Sequence, residues 1–553
     1  MGGDRSGRRR HAFSSLAGNT ALLRVLAAYL LFILTEYAVW IAMLVFAYNR
    51  GGTAVAGLVA VAQLAPAAVV APVAASLADR RSPVVMLAGG YLAQVAGMAG
   101  TAVAIGAGAP LAAYAAAVFA ATAVTTTRPA QSALIPSLAA TPDQLTAANV
   151  VAGWLEAAGA AAAGLLVGVL ISLAGVGSVF AVCAGLGLAA ALLVAGLRAP
   201  SLAAETEAEA DTSTAGVAEG LRLAVRQPRL RLMLALLTAD AVVVGALDLL
   251  VVILALTVLG RPPSWAGYLE FAFGAGAVLA ATVSALLVGR RLGGPILAAA
   301  LGLSGALAVI AFGPGLAGTV ILLAVAGAGH LLLEVATRTL LQRSVPPRLI
   351  GRIFGVLEGF TMAGLAIGAL LVPALAHLGG SRLAVLGVAA VLPLAAVAGG
   401  RAVFRLDAGT AVPVVEIALL RSLPLFAELP APAIEGLAAA LRPIRLETGA
   451  VLIRQGDPGD AYFAIAAGEL DAEQDGHFLG RYGRGDGVGE IALLRAVPRT
   501  ATVIAHTAAT VYQLDRDLFL TAVLGHAPTR RQAEGIAVAR LATDKAADRA
   551  AGR

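Results

Sequence analysis

The stretch Gly483-Arg-Gly-Asp-Gly-Val-Gly-Glu-Ile-Ala-Leu-Leu-Arg-Ala-Val-Pro-Arg-Thr-Ala-Thr-Val503 decides how the C-terminal part of the chain folds. Its glycines permit tight turns, and the run that Glu490 opens offers backbone N–H groups of the kind that bind anions at a helix start. Arg499 adds a planar guanidinium that can bind the same anion through two hydrogen bonds. Because the Glu490 carboxylate suits a sugar hydroxyl, the stretch predicts a site for a small phosphorylated sugar.

Short strands surround this stretch. Residues 442–482 alternate with a period of two, and Gly, Asp and Pro turns recur among them, which is typical of a β-roll or barrel. Apolar helical patterns precede the strands at 419–429 and follow them at 515–519 and 529–542. The sequence therefore predicts a small α+β domain at 415–542 with flanking helices, followed by a tail at 543–553.

The segments Gly489-Glu-Ile-Ala-Leu493 and Pro498-Arg-Thr-Ala501 resemble the phosphate-binding cassette of cyclic nucleotide-binding domains, G-E-x-A-L followed by P-R-x-A. The resemblance implies that the regulatory ligand is cAMP or cGMP. It also implies that Glu490 accepts a hydrogen bond from the ribose 2′-hydroxyl and that Arg499 pairs with the cyclic phosphate.

The resemblance assigns further residues to the same site. Backbone amides near Ile491 and Ala492, next to Gly489, would complete the phosphate cradle. The Thr500 hydroxyl could reach the phosphate or a guanine base, so this residue does not decide between cAMP and cGMP as the ligand. The lid over the base is expected from the helix at 529–542, with four candidates: Arg530, Arg531, Ile536 and Val538.

The composition of the whole chain indicates a polytopic membrane protein. Of its 553 residues, 59% are hydrophobic and 13% are charged, and the mean hydropathy is +0.87; soluble proteins of this length are rarely so apolar. Lys545 is the only lysine, which excludes a P-loop and a Schiff-base lysine within the membrane. Cys183 stands alone and the histidines lack ligand spacing, so we expect no metal, no cofactor and no enzyme activity.

Twelve apolar runs are each long enough to cross a bilayer, which takes about 20 residues. The first six cover 21–48, 53–77, 84–107, 111–133, 150–174 and 177–197, and the second six cover 230–258, 264–288, 294–313, 317–340, 350–375 and 382–404. The fold class is therefore an all-α membrane bundle of twelve spans, six plus six, followed by the α+β domain. The predicted divisions are a tail at 1–20, a bundle at 21–197, a linker at 198–229, a bundle at 230–405 and a linker at 406–414.

The arginines predict the orientation of the bundle. One side carries the N-terminal tail, the central linker and arginines at 80–81, 290–291 and 338–352, whereas the other side holds little beyond Arg50, Arg261 and Arg382. By the positive-inside rule, both termini and the α+β domain face the cytoplasm. The net charge of +6 is thus a topology signal, not a sign of nucleic-acid binding. The short linker at 406–414 reaches at most about 30 Å, so we expect the domain to contact the bundle directly.

The two halves of the bundle repeat each other. Arg128 and Arg338 each follow a threonine and lie eight residues before a proline. A span with a Leu-Glu pair follows each of them, at Glu156 and Glu358. Small-residue faces that let helices approach closely come next, which indicates a duplicated six-helix unit.

Residues 75–82, Ala-Ser-Leu-Ala-Asp-Arg-Arg-Ser, resemble the G-x-L-x-D-R-x-G-R loop of the major facilitator superfamily, whose halves are repeats around a central substrate cavity. Segments 128–136 and 338–343 look like the bacterial efflux permeases of that superfamily. The resemblance implies a secondary transporter, more an exporter than an importer, in the bacterial plasma (inner) membrane. The residues expected to switch the halves between conformations are Asp79, Arg80, Arg128 and Arg338.

An ionisable side chain inside a membrane costs about 3 kcal/mol and is a functional candidate by default. Six acids lie in or near predicted spans: Glu36, Glu156, Asp240, Asp248, Glu334 and Glu358. Glu36 lies in the middle of the first span, so we expect it to bind the coupling proton or the substrate, and Glu36→Gln to abolish proton-driven transport. Asp240 and Asp248 are second candidates. Glu156 and Glu358 either serve transport or only pair with Arg128 and Arg338 or cap helices.

These patterns predict a proton-coupled exporter of a small molecule that cAMP or cGMP regulates through its cytoplasmic domain. One alternative is a membrane-tethered cyclic nucleotide sensor that does not transport. A cyclic nucleotide-gated channel is less favoured, because no Thr-Val-Gly-Tyr-Gly filter and no arginine-periodic voltage sensor occur. The predicted partners are the bilayer, the nucleotide, the substrate and protons, and no nucleic acid is expected. The sequence does not decide whether the protein forms a homodimer.

Overall fold

The computed structural model describes residues 18–78, 82–139, 142–197, 222, 227–284, 292–345, 347–409, 414–426, 429 and 431–524. The chain divides into two compact units. Residues 1–287 and 291–410 form a helical unit, and a mixed unit contains residues 411–553. The division falls inside the linker predicted at 406–414, but residues 406–409 continue the last helix of the first unit.

Within the described residues, the first unit contains ten long helices. They are α1 (Thr20–Ala78), α2 (Pro83–Gly106), α3 (Pro110–Leu138), α4 (Pro142–Ala174), α5 (Val176–Val194), α6 (Pro228–Ile253), α7 (Ser264–Ser284), α8 (Gly293–Ile310), α9 (Gly315–Ser344) and α10 (Pro347–Gly409). A π-helical turn, Leu254–Val258, extends α6. Several of these helices begin at a proline, whose fixed φ and missing N–H suit the first helical turn.

Nine helices within the described ranges are long and apolar enough to cross a membrane. Two of them, in α1 and α10, each contain two predicted spans that meet at a glycine pair, Gly51-Gly52 or Gly379-Gly380. The second glycine of each pair has a φ of 63° or 73°, which a residue with a side chain rarely adopts. The apolar part of α3, Pro110–Thr125, supplies the remaining span. The prediction of twelve spans in two groups of six is confirmed.

The two halves of the bundle contact each other through small residues. Gly164 in α4 faces α7 so closely that a Cβ added to it would lie 2.6 Å from the amide nitrogen of Phe271. Gly57 in α1 faces α10, where an added Cβ would lie 2.8 Å from the carbonyl oxygen of Ala369. Both contacts lie near the turns that join odd-numbered spans to even-numbered ones. The halves therefore meet backbone to backbone at that end of the bundle.

The second unit is a β-roll with flanking helices, as predicted. Helices α11 (Val414–Ser422) and α12 (Ala431–Ala440) precede the strands β1 (Arg442–Leu446), β2 (Val451–Ile453), β3 (Ala461–Ala467), β4 (Leu470–Gln474), β5 (His477–Tyr482), β6 (Gly487–Val488), β7 (Thr502–Ala505) and β8 (Ala509–Asp515). Helix α13 (Glu490–Arg495) lies between β6 and β7, and α14 (Arg516–Leu524) follows β8. Two four-stranded antiparallel sheets result, in the orders β1-β8-β3-β6 and β2-β7-β4-β5.

Aromatic side chains join the helices of this unit to its sheet. The ring of Tyr462 in β3 stacks on Phe519 of α14 with centroids 4.9 Å apart, and Phe426 meets both rings edge to face. Buried aromatic pairs of this kind contribute about 1 kcal/mol beyond their burial. This cluster fixes β3, and β3 in turn pairs with β6, where the glycine-rich stretch begins.

Candidate functional site

A pocket in the second unit brings the predicted nucleotide-binding residues together. It lies where β6 turns into α13, and apolar side chains of Ile453, Ala472 and Leu479 form its opposite wall. All six predicted residues line it: Gly489, Glu490, Ile491, Ala492, Arg499 and Thr500. A pocket with one apolar wall and a few converging polar groups suits a small ligand with a flat apolar part and a charged part.

Glycines shape the turn into the pocket. Gly489 has a φ of 95°, and a Cβ added there would collide with the guanidinium of Arg499. A Cβ added to Gly487 would collide in the same way with the hydroxyl of Tyr462. The stretch can fold in this way only with glycine at both positions, which explains their spacing.

The guanidinium of Arg499 forms the floor of the pocket. It donates from Nη1 to the carbonyl oxygen of Gly489 at 3.0 Å, and from Nη2 to the carbonyl oxygen of Ala461 at 2.7 Å and to Asp460 Oδ1 at 3.0 Å. The residue is only 4% exposed, whereas the Asp460 side chain is 80% exposed. An arginine cannot lose its proton, so a permanent positive charge is held in a fixed place at the base of the pocket.

The remaining polar groups surround this charge. Glu490, the first residue of α13, is 2% exposed and lines the pocket. Ile491 and Ala492 follow it in the first turn of α13, where backbone N–H groups have no partner within the helix itself. Thr500 is half-buried beside Arg499. A cation, backbone donors and a carboxylate within one pocket can bind an anion and a neighbouring hydroxyl at the same time.

A second polar group lies on the strands behind the pocket. Arg481 in β5 donates from Nε to Asp471 Oδ1 in β4 at 2.7 Å. This hydrogen bond lowers the pKa of the Asp471 carboxyl against the opposing effect of burial, and the charges of Arg481 and His506 act in the same direction as the bond. The cross-strand spacing of these residues was not recognised in the sequence, because strand register was not predicted.

Six predicted residues lie outside the described ranges. They are the lid candidates Arg530, Arg531, Ile536 and Val538, and the switch residues Asp79 and Arg80.

Within the N-terminal half of the bundle, Arg128 joins two of the predicted acids. Its Nη2 donates to Glu36 Oε2 at 2.8 Å, and its Nη1 lies 3.4 Å from Glu156 Oε1. Tyr29 donates its hydroxyl proton to Glu156 Oε2 at 3.1 Å. Three predicted transport and switch residues therefore form one cluster on three different spans.

The C-terminal half contains a second cluster built from different residue types. His330 in α9 bonds through Nδ1 to both carboxylate oxygens of Asp240 in α6, at 3.0 and 3.2 Å. One turn further along α9, Glu334 pairs with Arg338 at 2.9 Å. The sequence analysis missed His330, since one histidine in an apolar span has no local signal. Glu358 is exposed, and no ion pair joins it to Arg338 within the described ranges.

The other predicted acid of this half, Asp248, reaches across to the first half. Trp40 in α1 donates its indole N–H to Asp248 Oδ2 at 2.9 Å. The charges of Asp248 and of Glu270 in α7 interact, which places two carboxyl groups close together. Neither Trp40 nor Glu270 was a candidate from the sequence, because only the packing of the helices brings them to Asp248.

Comparisons with known proteins match both units. The family model described as Major Facilitator Superfamily matches residues 25–360, and that of the cyclic nucleotide-binding domain matches residues 443–526. The cAMP-dependent protein kinase regulatory subunit of Aspergillus niger is 39% identical over 104 residues, which are 18% of this chain and 25% of that protein. The uncharacterized protein Rv0104 of Mycobacterium tuberculosis is 40% identical over 100 residues, 18% of this chain and 20% of that protein. The chain thus spans a quarter or less of the length of these relatives.

Among solved structures, the co-crystal structure of the regulatory domain of Toxoplasma gondii PKA with cAMP is 29% identical. The match covers 24% of this chain and 56% of that chain, with a TM-score of 0.22.

Proposed function

Since the chain belongs to the major facilitator superfamily and carries a cyclic nucleotide-binding domain, we propose that it is a secondary transporter whose activity cAMP or cGMP controls. It exports a small molecule in exchange for protons across a bacterial plasma membrane, with both termini and the nucleotide domain in the cytoplasm. The observation that carries the regulatory part is the buried guanidinium of Arg499, fixed at the base of a pocket that Glu490 also lines.

The pocket suits a cyclic nucleotide through complementary charges. The cyclic phosphate pairs with Arg499 and accepts hydrogen bonds from backbone N–H groups near Ile491 and Ala492. The Glu490 carboxylate accepts a hydrogen bond from the ribose 2′-hydroxyl, and the purine lies against the apolar wall. The Thr500 hydroxyl can bind phosphate or guanine, so cAMP and cGMP are both candidate ligands. The kinase regulatory subunit that this domain resembles is cAMP-dependent, which supports cAMP as the first ligand to test.

The bundle suits transport by alternating access. Its halves meet through Gly164 and Gly57 at one end, and the clusters around Arg128 and His330 lie inside the two halves. Breaking the small-residue contacts at one end and forming others at the opposite end would expose these clusters to each side in turn. Nucleotide binding changes this equilibrium only as far as the nucleotide binds one arrangement better than the other.

The first experiment measures binding and regulation on the full-length protein in detergent. Calorimetry with cAMP and with cGMP gives the affinities, and a thermal-shift panel finds the substrate. A ligand present at about 100 times its Kd and bound only to the folded state stabilises it by about 2.7 kcal/mol. Flux of the identified compound into proteoliposomes is then measured with and without nucleotide, for the wild type and for Arg499→Ala.

Each outcome decides between the alternatives. Nucleotide-dependent flux in the wild type and nucleotide-independent flux in Arg499→Ala support the proposal. Binding of nucleotide without flux of any compound supports the tethered sensor instead. If nucleotide and substrate binding are coupled by about 1–3 kcal/mol, the nucleotide changes the affinity for substrate about 5- to 150-fold. The substrate must then change the affinity for nucleotide by the same factor. If neither ligand affects the other, the nucleotide domain does not regulate transport.

A further inference from the structure

The first span of each half holds an acid, and the two acids have partners of different chemistry. Glu36 on the first span of the first half binds the guanidinium of Arg128. Asp240 on the first span of the second half is 3% exposed and binds the imidazole of His330. A guanidinium stays charged at every physiological pH, whereas an imidazole gains and loses its proton near neutrality. Asp240 therefore has a partner that can gain and lose a proton, whereas Glu36 has one that cannot.

We propose that the Asp240–His330 pair is the proton-binding site of the transport cycle, and that Glu36, held by Arg128, is its fixed counterpart. This inference rests on the proposed function as a proton-coupled transporter and names the residues that carry the proton. It replaces Glu36 as the first candidate because Arg128, the partner of Glu36, is charged at every physiological pH, whereas the imidazole of His330 can gain and lose a proton.

The geometry gives each nitrogen of His330 a separate role. Nδ1 faces the Asp240 carboxylate, which holds a proton on that nitrogen. Nε2 is then the basic nitrogen of the neutral ring, and it points toward Glu334 Oε2 at 3.9 Å. A proton from water binds Nε2 to form an imidazolium whose charge Asp240 balances. The same proton leaves Nε2 for water on the other side of the membrane. The ring then returns to its neutral form, and no other group has gained or lost a proton.

The charged surroundings of His330 come from three helices. Glu334 and Arg338 lie on its own helix α9, and Asp240 and Asp248 lie on α6, where Asp248 is close enough for its charge to interact with that of the ring. Helix α7 contributes Glu270, whose charge interacts with Asp248, and the ring of Phe273, which stacks on His330 with centroids 5.8 Å apart. Helix α8 has no ionisable side chain. A change of charge at His330 therefore acts on Asp240, Asp248 and Glu334, and it reaches Glu270 only through Asp248.

The arrangement also connects protonation to the contact between the halves. Asp240 and Asp248 are two helical turns apart, about 12 Å along α6. Asp248 accepts the indole N–H of Trp40, which belongs to the opposite half. An added positive charge at His330 acts on the Asp248 carboxylate, and an ionised carboxylate accepts the Trp40 hydrogen bond more strongly than a neutral one. Protonation should therefore stabilise the arrangement in which the halves meet through Trp40 and Asp248.

The test is a pH titration of the imidazole nitrogens by NMR, using the full-length protein with isotope-labelled histidine. The chain has six histidines, and the signal lost in His330→Gln identifies the one that matters. We expect the His330 signal to titrate. Asp240→Asn should move its midpoint by about one pH unit or more, because the carboxylate that favours the imidazolium is gone. The matched control is Glu36→Gln, the acid on the first span of the other half, which should leave the midpoint in place.

Two results would overturn the proposal: a His330 signal that does not titrate in the folded protein, or a midpoint that Asp240→Asn leaves unchanged. If Asp240→Asn does not fold, Asp240→Glu keeps the charge but alters its distance from the ring, and a smaller shift is expected. None of these measurements needs a substrate. A protein that fails to transport can still show the titration, so failure of this inference and failure of the proposed function are distinguishable.

Discussion

Replacing Arg499 by alanine tests the nucleotide pocket most directly. The substitution removes the permanent charge from the base of the pocket, where the guanidinium now donates three hydrogen bonds to Gly489, Ala461 and Asp460. A hydrogen bond to a charged group contributes about 1.5–3 kcal/mol net. Because about 1.4 kcal/mol is a factor of ten in affinity, Arg499→Ala should weaken nucleotide binding about 10- to 100-fold.

The same substitution also affects the folded state, so stability must be measured beside affinity. Without the guanidinium, the buried carbonyl oxygens of Gly489 and Ala461 lose a donor, and an unsatisfied buried acceptor costs about 1–3 kcal/mol. Arg499→Lys separates the two effects, since it keeps a positive charge but not the planar fork. Its affinity should lie between those of the wild type and Arg499→Ala.

Calorimetry of the full-length protein with cAMP and cGMP is the assay, and thermal unfolding without nucleotide is its companion. Arg495→Ala is the matched control, because Arg495 lies in the last turn of the same short helix and is exposed. It should bind nucleotide as the wild type does. An Arg499→Ala protein that unfolds at the wild-type temperature and binds nucleotide with unchanged affinity would refute the assignment of this pocket.

Three further predictions follow from the geometry. Gly489→Ala should lower nucleotide affinity at least tenfold in the same calorimetry. A φ of 95° costs alanine about 1–2 kcal/mol, and the added Cβ collides with the guanidinium of Arg499. Wild-type affinity would show that the turn relaxes. Gly164→Val should abolish flux, because the halves can no longer meet, whereas Gly153→Val on the same helix has open space and should transport normally. Flux through Gly164→Val at the wild-type rate would contradict this. The folded state lowers the pKa of Asp471, so its bond to Arg481 stabilises the fold above about pH 4 and is lost as the pH falls below that. The melting temperature of Asp471→Asn should therefore fall less steeply than that of the wild type under acid, and equal slopes would contradict this.

The meeting of Gly489, Glu490 and Arg499 in one pocket could be predicted because these residues are close together in sequence. Gly489, Glu490 and Arg499 lie within one short stretch, and the turn that brings them together is set by glycines whose positions the sequence displays. The spans could be predicted for a similar reason, because length and hydropathy suffice to recognise them. The sequence could not show that the first two spans join in α1 without a separate loop, because a glycine pair serves equally as a turn or as a kink.

The transport residues could be predicted only in part, because their partners come from distant helices. The sequence singled out Glu36 and Asp240 as acids within apolar spans, and it gave neither of them a partner. The structure gives them different partners, Arg128 for one and His330 for the other. Which side of a span faces which neighbour depends on packing among similar Ala- and Gly-rich surfaces, and the hydropathy of these spans is too uniform to indicate it.

The basic residues of this chain differ in whether their positive charge is permanent or depends on pH. Its only lysine, Lys545, lies outside the predicted spans, so inside the bundle a positive charge can come only from arginine or histidine. Arg128 is a permanent charge at a junction of three spans, and Arg499 is one at the base of the nucleotide pocket. Neither can carry a proton through a cycle, since neither releases one. A transporter built from these residues must move its proton on a carboxyl group or on a histidine. Within the described part of the bundle, His330 is a histidine that bonds to a buried carboxylate, which can balance its charge.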